Sequence, residues 1–209
     1  MKILALDSAN DNCSAAYAVD GDVRAFDFRE MARGQAEALM PMVQSVMARA
    51  KASYFDLDAV AVTVGPGSFT GVRIGLAAAR GVAMAARVGM IGVSALRVAG
   101  FKAAKQFPNQ KVCVFFDTKR GDYYAQAFEN GAPVCEAFAG DETALLNLKA
   151  GVYAGNCPDM FLEQTGVSPA GFEMPDARDV AAFAENETPS FDYPSAMYLR
   201  EAEISTCAK

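Results

Sequence analysis

The feature that most constrains this chain is an internal repeat with a spacing of 110 residues. An apolar run ends in Asp7-Ser8, and a second apolar run ends in Asp117-Thr118. An Asp20-Gly21 pair follows the first, and an Asn130-Gly131 pair follows the second at the same offset. Asx-Gly between two half-apolar segments favours a two-residue hairpin, because both turn positions need positive φ. Each unit therefore reads as strand, short Asp-hydroxyl loop, strand, tight turn, strand. The predicted strands are 2–7, 13–19 and 23–28 in the first unit, and 111–117, 123–129 and 134–138 in the second. Asx-Gly hairpins are common, and one alone would mean little. Agreement in both position and residue type argues for duplication, and a duplication fixes the architecture before any other signal.

Between the units the apolar spacing changes to that of helices. Leu39, Val43, Val46 and Met47 predict an amphipathic helix over 35–52, with Pro41 in its early turns or kinking it. A buried strand over 59–64 runs into Gly65-Pro66-Gly67-Ser68-Phe69-Thr70-Gly71, and an apolar helix follows over 72–86. A strand at 90–93 leads to a helix capped by Ser94 and running to about residue 105. Phe107-Pro108-Asn109 marks the boundary, giving halves 1–106 and 107–209. The second half is thinner: a helix at 141–148, a strand at 151–154, a helix at 158–164, a helix capped by Asp176 to about 184, and a closing segment 193–204. The expected class is α/β, with two related halves, mixed sheets and flanking helices, the second half reduced.

The glycine turn joins a strand to a helix, and Thr70 or Ser68 can cap that helix. Such a turn can hold an anion on its exposed amides or bring two backbones close together. It lacks the Gly-Lys-Ser/Thr of a Walker loop, since Val72 follows Gly71. Its GxGxxxG spacing also misses the dinucleotide fingerprint. A structural turn is the default reading. The helix it launches is nearly bare of bulk, and Arg73, Arg80 and Arg87 recur on it every seven residues. These arginines form a solvated edge, or pair with acids of the second half, or make a rim of charge around an apolar partner-binding face.

Among 209 residues there is no histidine, which removes Ser-His and Cys-His nucleophiles and the HExxH metal sites. The net charge of −6 opposes binding a polyanion over the whole surface. That charge is unevenly spread: residues 59–111 carry seven Lys or Arg and no acid, while residues 112–209 carry six and sixteen. Five scattered cysteines without a CxxC pair predict reduced thiols and a cytoplasmic protein. No apolar run reaches the roughly 18 residues of a membrane span, so no membrane association is expected. Asp7, Ser8 and Asp117, at strand ends in duplicated halves, are the candidates for phosphate loops with a metal-bound water; the alternative is that each Asp caps its own turn.

The duplicated hairpins, the Asp7-Ser8 loop, Asp117 to Tyr124, Tyr198-Leu199-Arg200 and above all GPGSFTGVRIG resemble the TsaB (YeaZ) family. That resemblance implies an actin/Hsp70/sugar-kinase-like fold of two RNase H-like halves. It further implies a non-catalytic partner of a TsaD-type protein, working with a TsaE-type ATPase to place a threonylcarbamoyl group on the adenosine beside the anticodon of tRNA. No metal or cofactor of its own is implied, and tRNA would be met only through the complex. The family's interface maps onto the two helices flanking the glycine strand, giving Met40, Val43, Met47, Gly71, Arg73, Gly75, Ala78, Ala79, Arg80, Val82 and Ala86. The same helices would support a homodimer. Gln35 stands where relatives often have His, which removes a remnant of a metal pair and argues against the older protease label. An autonomous ATPase or phosphotransferase using Asp7 and Asp117 is the alternative.

Overall fold

A computed structural model describes residues 1–156 and 158–199. Cys157, Cys207, Arg200 and the end of the predicted 193–204 segment lie outside the described residues. The first sheet holds β1 (Lys2–Asp7), β2 (Asn12–Val19), β3 (Asp22–Glu30), β4 (Ala59–Gly65) and β5 (Gly89–Ser94) in the order β3-β2-β1-β4-β5. β1, β2 and β3 pair antiparallel, and β4 and β5 run parallel to β1.

Helices cover both faces, which explains why the central strands read as unbroken apolar runs rather than alternating ones. Alternate residues still sort by size. Leu4, Leu6, Val60 and Val62 face α1 (Gln35–Ala50) and α2 (Phe69–Ala86). Ile3, Ala5, Ala59 and Ala61 face the opposite way. That second face is covered by a late helix of the chain, described below, which the small side chains allow to approach closely. A 3-10 turn at Tyr54–Asp56 precedes β4.

α3 (Ala95–Gln106), capped by Ser94, lies between the two sheets. Its Val98 packs with the first, while Leu96, Ala99 and Ala103 pack with the second. The second sheet comprises β6 (Lys111–Asp117), β7 (Tyr123–Glu129), β8 (Ala132–Pro133), β9 (Phe138–Gly140) and β10 (Val152–Gly155). Its order is β10-β6-β7-β8, with β9 also on β7. α4 (Glu142–Asn147) and α5 (Pro158–Thr165) flank it, and Phe161 stacks on Phe115 at 4.6 Å. α6 (Ala177–Ala184), held by an Asp176–Asp179 capping box, returns to the first sheet, so the unit around β1–β5 draws residues from both sides of position 107.

The repeat is visible in the backbone itself. Asp20 and Gly21 have φ of 52° and 82°, and Asn130 and Gly131 have 50° and 82°. At both strand ends the Asp carboxylate accepts from the amide two residues on, Ala9 N at 3.1 Å and Lys119 N at 2.7 Å. The strand predicted over 134–138 does not form: residues 134–137 are not in a strand, and β8 and β9 pair with β7 on either side of them. Pro133 has no N–H to extend the ladder. Beyond it Val134 N donates to Ala127 O, and the Cys135 thiol takes the Ala127 N–H at 3.3 Å where a backbone carbonyl would continue the pairing.

Candidate partner-binding surface and strand-end loops

The glycine turn is shaped by the loop it lies against. Ser8 Oγ donates to Gly71 O at 2.9 Å, and Ser68 N donates to Ala9 O at 2.7 Å. A Cβ on Gly67 would stand 2.2 Å from Ala9 O, and one on Gly71 would stand 2.1 Å from Ser8 O. On Gly75 it would meet Ser8 Oγ at 2.8 Å. Gly67 and Gly71 are required because another stretch of backbone occupies the space, while at Gly75 the neighbour is the Ser8 side chain. Of the two possible helix caps, Ser68 fills the role by accepting from Gly71 N. The amides of Ser68, Gly71 and Val72 are bonded within the chain, so those three N–H groups are not open to an anion.

The two strand-end loops differ in surroundings. Asp7 is 2% exposed, and Thr63 Oγ1 and Ala9 N donate to its carboxylate. Burial pushes its pKa up to about 6 against those two bonds, and the carboxylates of Asp176 and Asp179 push it further the same way. Ser8 is also buried. Asp117 is half-buried, and its backbone N–H donates to Asn156 Oδ1 at 2.7 Å. The loops meet not through the two aspartates but through Lys119 Nζ and Asp11 Oδ2, 2.5 Å apart. Beside them lies a cleft of about 680 Å³ lined by Asn10, Asn12, Phe28, Asn156 and Phe172 among others. Among the described residues no group of three or more Cys, Asp or Glu could hold a metal ion. Cys13, Cys113 and Cys135 are free thiols; burial pushes Cys13 up to about 11 and Cys113 up to about 12, so neither is a ready nucleophile.

The residues expected at a partner interface divide by helix face. Val43, Met47, Gly71, Gly75, Ala79, Val82 and Ala86 are buried in this chain's own core, against the sheet and the Ser8 loop. Met40 and Arg73 are exposed, and Ala78 and Arg80 are half-buried. The outward side of α2 also carries Phe69, Ala77, Gly81, Met84 and Ala85, which sequence reasoning passed over. Met84 is 67% exposed, Phe69 47% and Met40 37%. α1 and α2 pack side by side on one face of the sheet, so this surface spans both helices.

A strap formed by residues 189–199 borders that surface. Ser190 pairs with Met90 at the edge of β5, Met197 N donates to Val64 O at 2.7 Å, and Arg80 Nη2 donates to Pro194 O at 2.7 Å. The Tyr198 ring lies 5.5 Å from the Phe69 ring, and Arg73 lies 3.5 Å over Phe69 while its Nε donates to the Tyr198 hydroxyl at 3.1 Å. The two sequence motifs, GPGSFTG and Tyr198-Leu199, thus meet through one aromatic contact.

Comparison with known proteins adds independent information. The family described as TsaD: tRNA N6-adenosine threonylcarbamoyltransferase matches residues 29–182. The tRNA threonylcarbamoyladenosine biosynthesis protein TsaB of Escherichia coli (strain K12) is 40% identical over 134 residues, covering 63% of this chain and 58% of that protein. The chain thus matches less than two thirds of that curated relative's length. A crystal structure of an uncharacterized protein with similarity to peptidase YeaZ, from Pseudomonas aeruginosa, superposes with a TM-score of 0.77 at 24% identity, covering 95% of this chain and 99% of that one. The activator of 2-hydroxyisocaproyl-CoA dehydratase from Clostridium difficile, solved with bound ADPNP, shares the fold at a TM-score of 0.51 and 10% identity, covering 90% of this chain and 95% of that one.

Proposed function

The chain belongs to the TsaB (YeaZ) branch of the TsaD family, and from that premise we propose that it is a non-catalytic subunit supporting a TsaD-type enzyme in threonylcarbamoyl modification of the adenosine next to the tRNA anticodon. The observation that carries this reading is the outward face of α1 and α2. Met40, Phe69 and Met84 stand exposed there, with Ala77, Gly81 and Ala85 between them. Small residues let a partner helix approach closely, and exposed Met and Phe supply apolar contact area. The same face would serve a homodimer in the absence of the partner. A TsaE-type ATPase and tRNA would be met through the complex, in the cytoplasm.

Two further features support a supporting role over independent catalysis. The sequence contains no histidine, so histidine-based hydrolysis has no residue to carry it. The Asp7 carboxylate is enclosed, 2% exposed, and takes hydrogen bonds from Thr63 and Ala9, which disfavours its use in an autonomous ATPase. The deciding experiment mixes the chain with a TsaD-type protein and measures complex formation and tRNA modification with and without it. A stable complex with modification dependent on this chain is expected. No complex and unchanged modification would refute the reading, as would saturable ATP binding by the isolated chain that Asp7→Ala abolishes.

A further inference from the structure

We propose that the groove between α2 and the 189–199 strap receives acidic side chains of the partner protein, held by Arg73 and Arg80. The proposal rests on the partner-binding reading above and names the chemistry that reading leaves open. The groove encloses about 320 Å³, floored by Leu76 and Ala77 and walled by Ala196 and Tyr198, with the two arginines along its length. Seven residues of helix separate them, a rise of about 10 Å on one stripe.

Both guanidinium groups are fixed, and both are fixed by neutral groups. Arg73 is held by the Phe69 ring and the Tyr198 hydroxyl. Arg80 gives an N–H to Pro194 O, while its buried Nε finds no acceptor. Among the described residues neither forms an ion pair, although Arg24, Arg97, Lys102, Lys119 and Arg178 all do. No acid occurs between residues 59 and 116, so a local carboxylate is not at hand. An arginine has five donors in a planar fork suited to bidentate carboxylates. Here most of those donors remain, on side chains whose ordering entropy is already spent on aromatic and carbonyl contacts.

Protein carboxylates fit this groove better than RNA phosphates. Its floor is apolar, and exposed Phe69 and Met84 lie on the same helix face, as in an interface with an apolar centre and an arginine rim. A phosphate-tracking surface would need several more cations, and the chain as a whole carries −6.

The test measures association of the full chain with a purified TsaD-type protein between about 50 and about 500 mM salt. Wild type should weaken about tenfold or more across that range. The Arg73→Gln/Arg80→Gln variant should bind about tenfold more weakly at low salt and lose most of the salt dependence. Arg73→Lys/Arg80→Lys should keep the salt dependence while losing part of the affinity, and Arg87→Gln, beyond the groove, should behave as wild type. Unchanged affinity and salt slope in the Gln variant would overturn the proposal while leaving partner binding intact. Unchanged association with loss of tRNA retention by the complex would assign the arginines to RNA and overturn it. The same slope change in Glu201→Gln/Glu203→Gln would assign them to this chain's own C-terminal acids and overturn it. No association of wild type at all would instead refute the partner reading itself.

Discussion

Gly71 and Gly81 lie on the same helix, and the same substitution should shift stability in opposite directions at the two. Glycine in a helix interior is less favourable than alanine by about 1 kcal/mol, so Gly→Ala gains that much wherever space allows. Gly81 has nothing within 4 Å of where its Cβ would lie. Gly81→Ala should therefore stabilise by about 1 kcal/mol and raise Tm by about 2–4 °C for a chain of this size. At Gly71 the new Cβ would stand 2.1 Å from Ser8 O, a backbone atom that no rotamer change can move. Relief requires α2 to lift off the Ser8 loop, straining the Ser8 Oγ to Gly71 O bond and the packing of Val72 and Leu76. Overpacking of this kind costs about 1–3 kcal/mol or more, and a strained buried hydrogen bond adds about 1 kcal/mol. Set against the propensity gain, Gly71→Ala should destabilise by about 1–3 kcal/mol and lower Tm by roughly 2–12 °C. Thermal unfolding followed by circular dichroism, supported by urea titration, measures both. Shifts of the same sign and similar size would refute the close approach of the turn to the Ser8 loop.

Three other outcomes follow from the same contacts. The pKa of Asp7 is raised from 3.8 to about 6, so the folded state binds the proton more tightly than the unfolded chain. Its contribution to stability is present in full below about 3.8 and is lost as pH rises through about 6, a swing of about 3 kcal/mol; urea titrations across that window should show it in wild type minus Asp7→Asn, and a flat difference would contradict it. Met84→Glu, at an open position, should change stability by less than about 0.5 kcal/mol yet block association with a TsaD-type protein, and normal association in a pull-down would move the interface elsewhere. Tyr198→Ala removes the ring beside Phe69 and the acceptor for Arg73, so hydrogen exchange at the Met197 amide should quicken while the amides of β1 keep their protection.

Much of the fold is written locally. Asp20-Gly21 and Asn130-Gly131 specify hairpin turns because few other pairs tolerate positive φ at both positions. Ser68, Ser94, Asp141 and Asp176 begin helices because each side chain accepts an amide two or three residues ahead. These interactions span a few residues, so sequence spacing suffices to find them, and the 110-residue repeat follows from finding them twice. The thin strand after β7 was harder to read, since its pairing was broken by a thiol standing in for a carbonyl.

What sequence alone could not determine is which small residues of α2 face inward. Gly71, Gly75 and Ala79 look no different from Ala77, Ala78 and Gly81, because hydrophobic spacing cannot phase a helix that is small on nearly every side. The phase is set in part by Ser8, more than sixty residues earlier, whose carbonyl and hydroxyl claim the inner face at Gly71 and Gly75. The return of α6 and of the 189–199 strap to the first sheet is likewise long-range, and so is the meeting of Phe69 with Tyr198. The sequence by itself determined most of the elements, the caps at Ser94 and Asp176, and the repetition. Only the tertiary structure decided which face of α2 is core and which is surface, because that choice depends on contacts between segments that no local propensity connects.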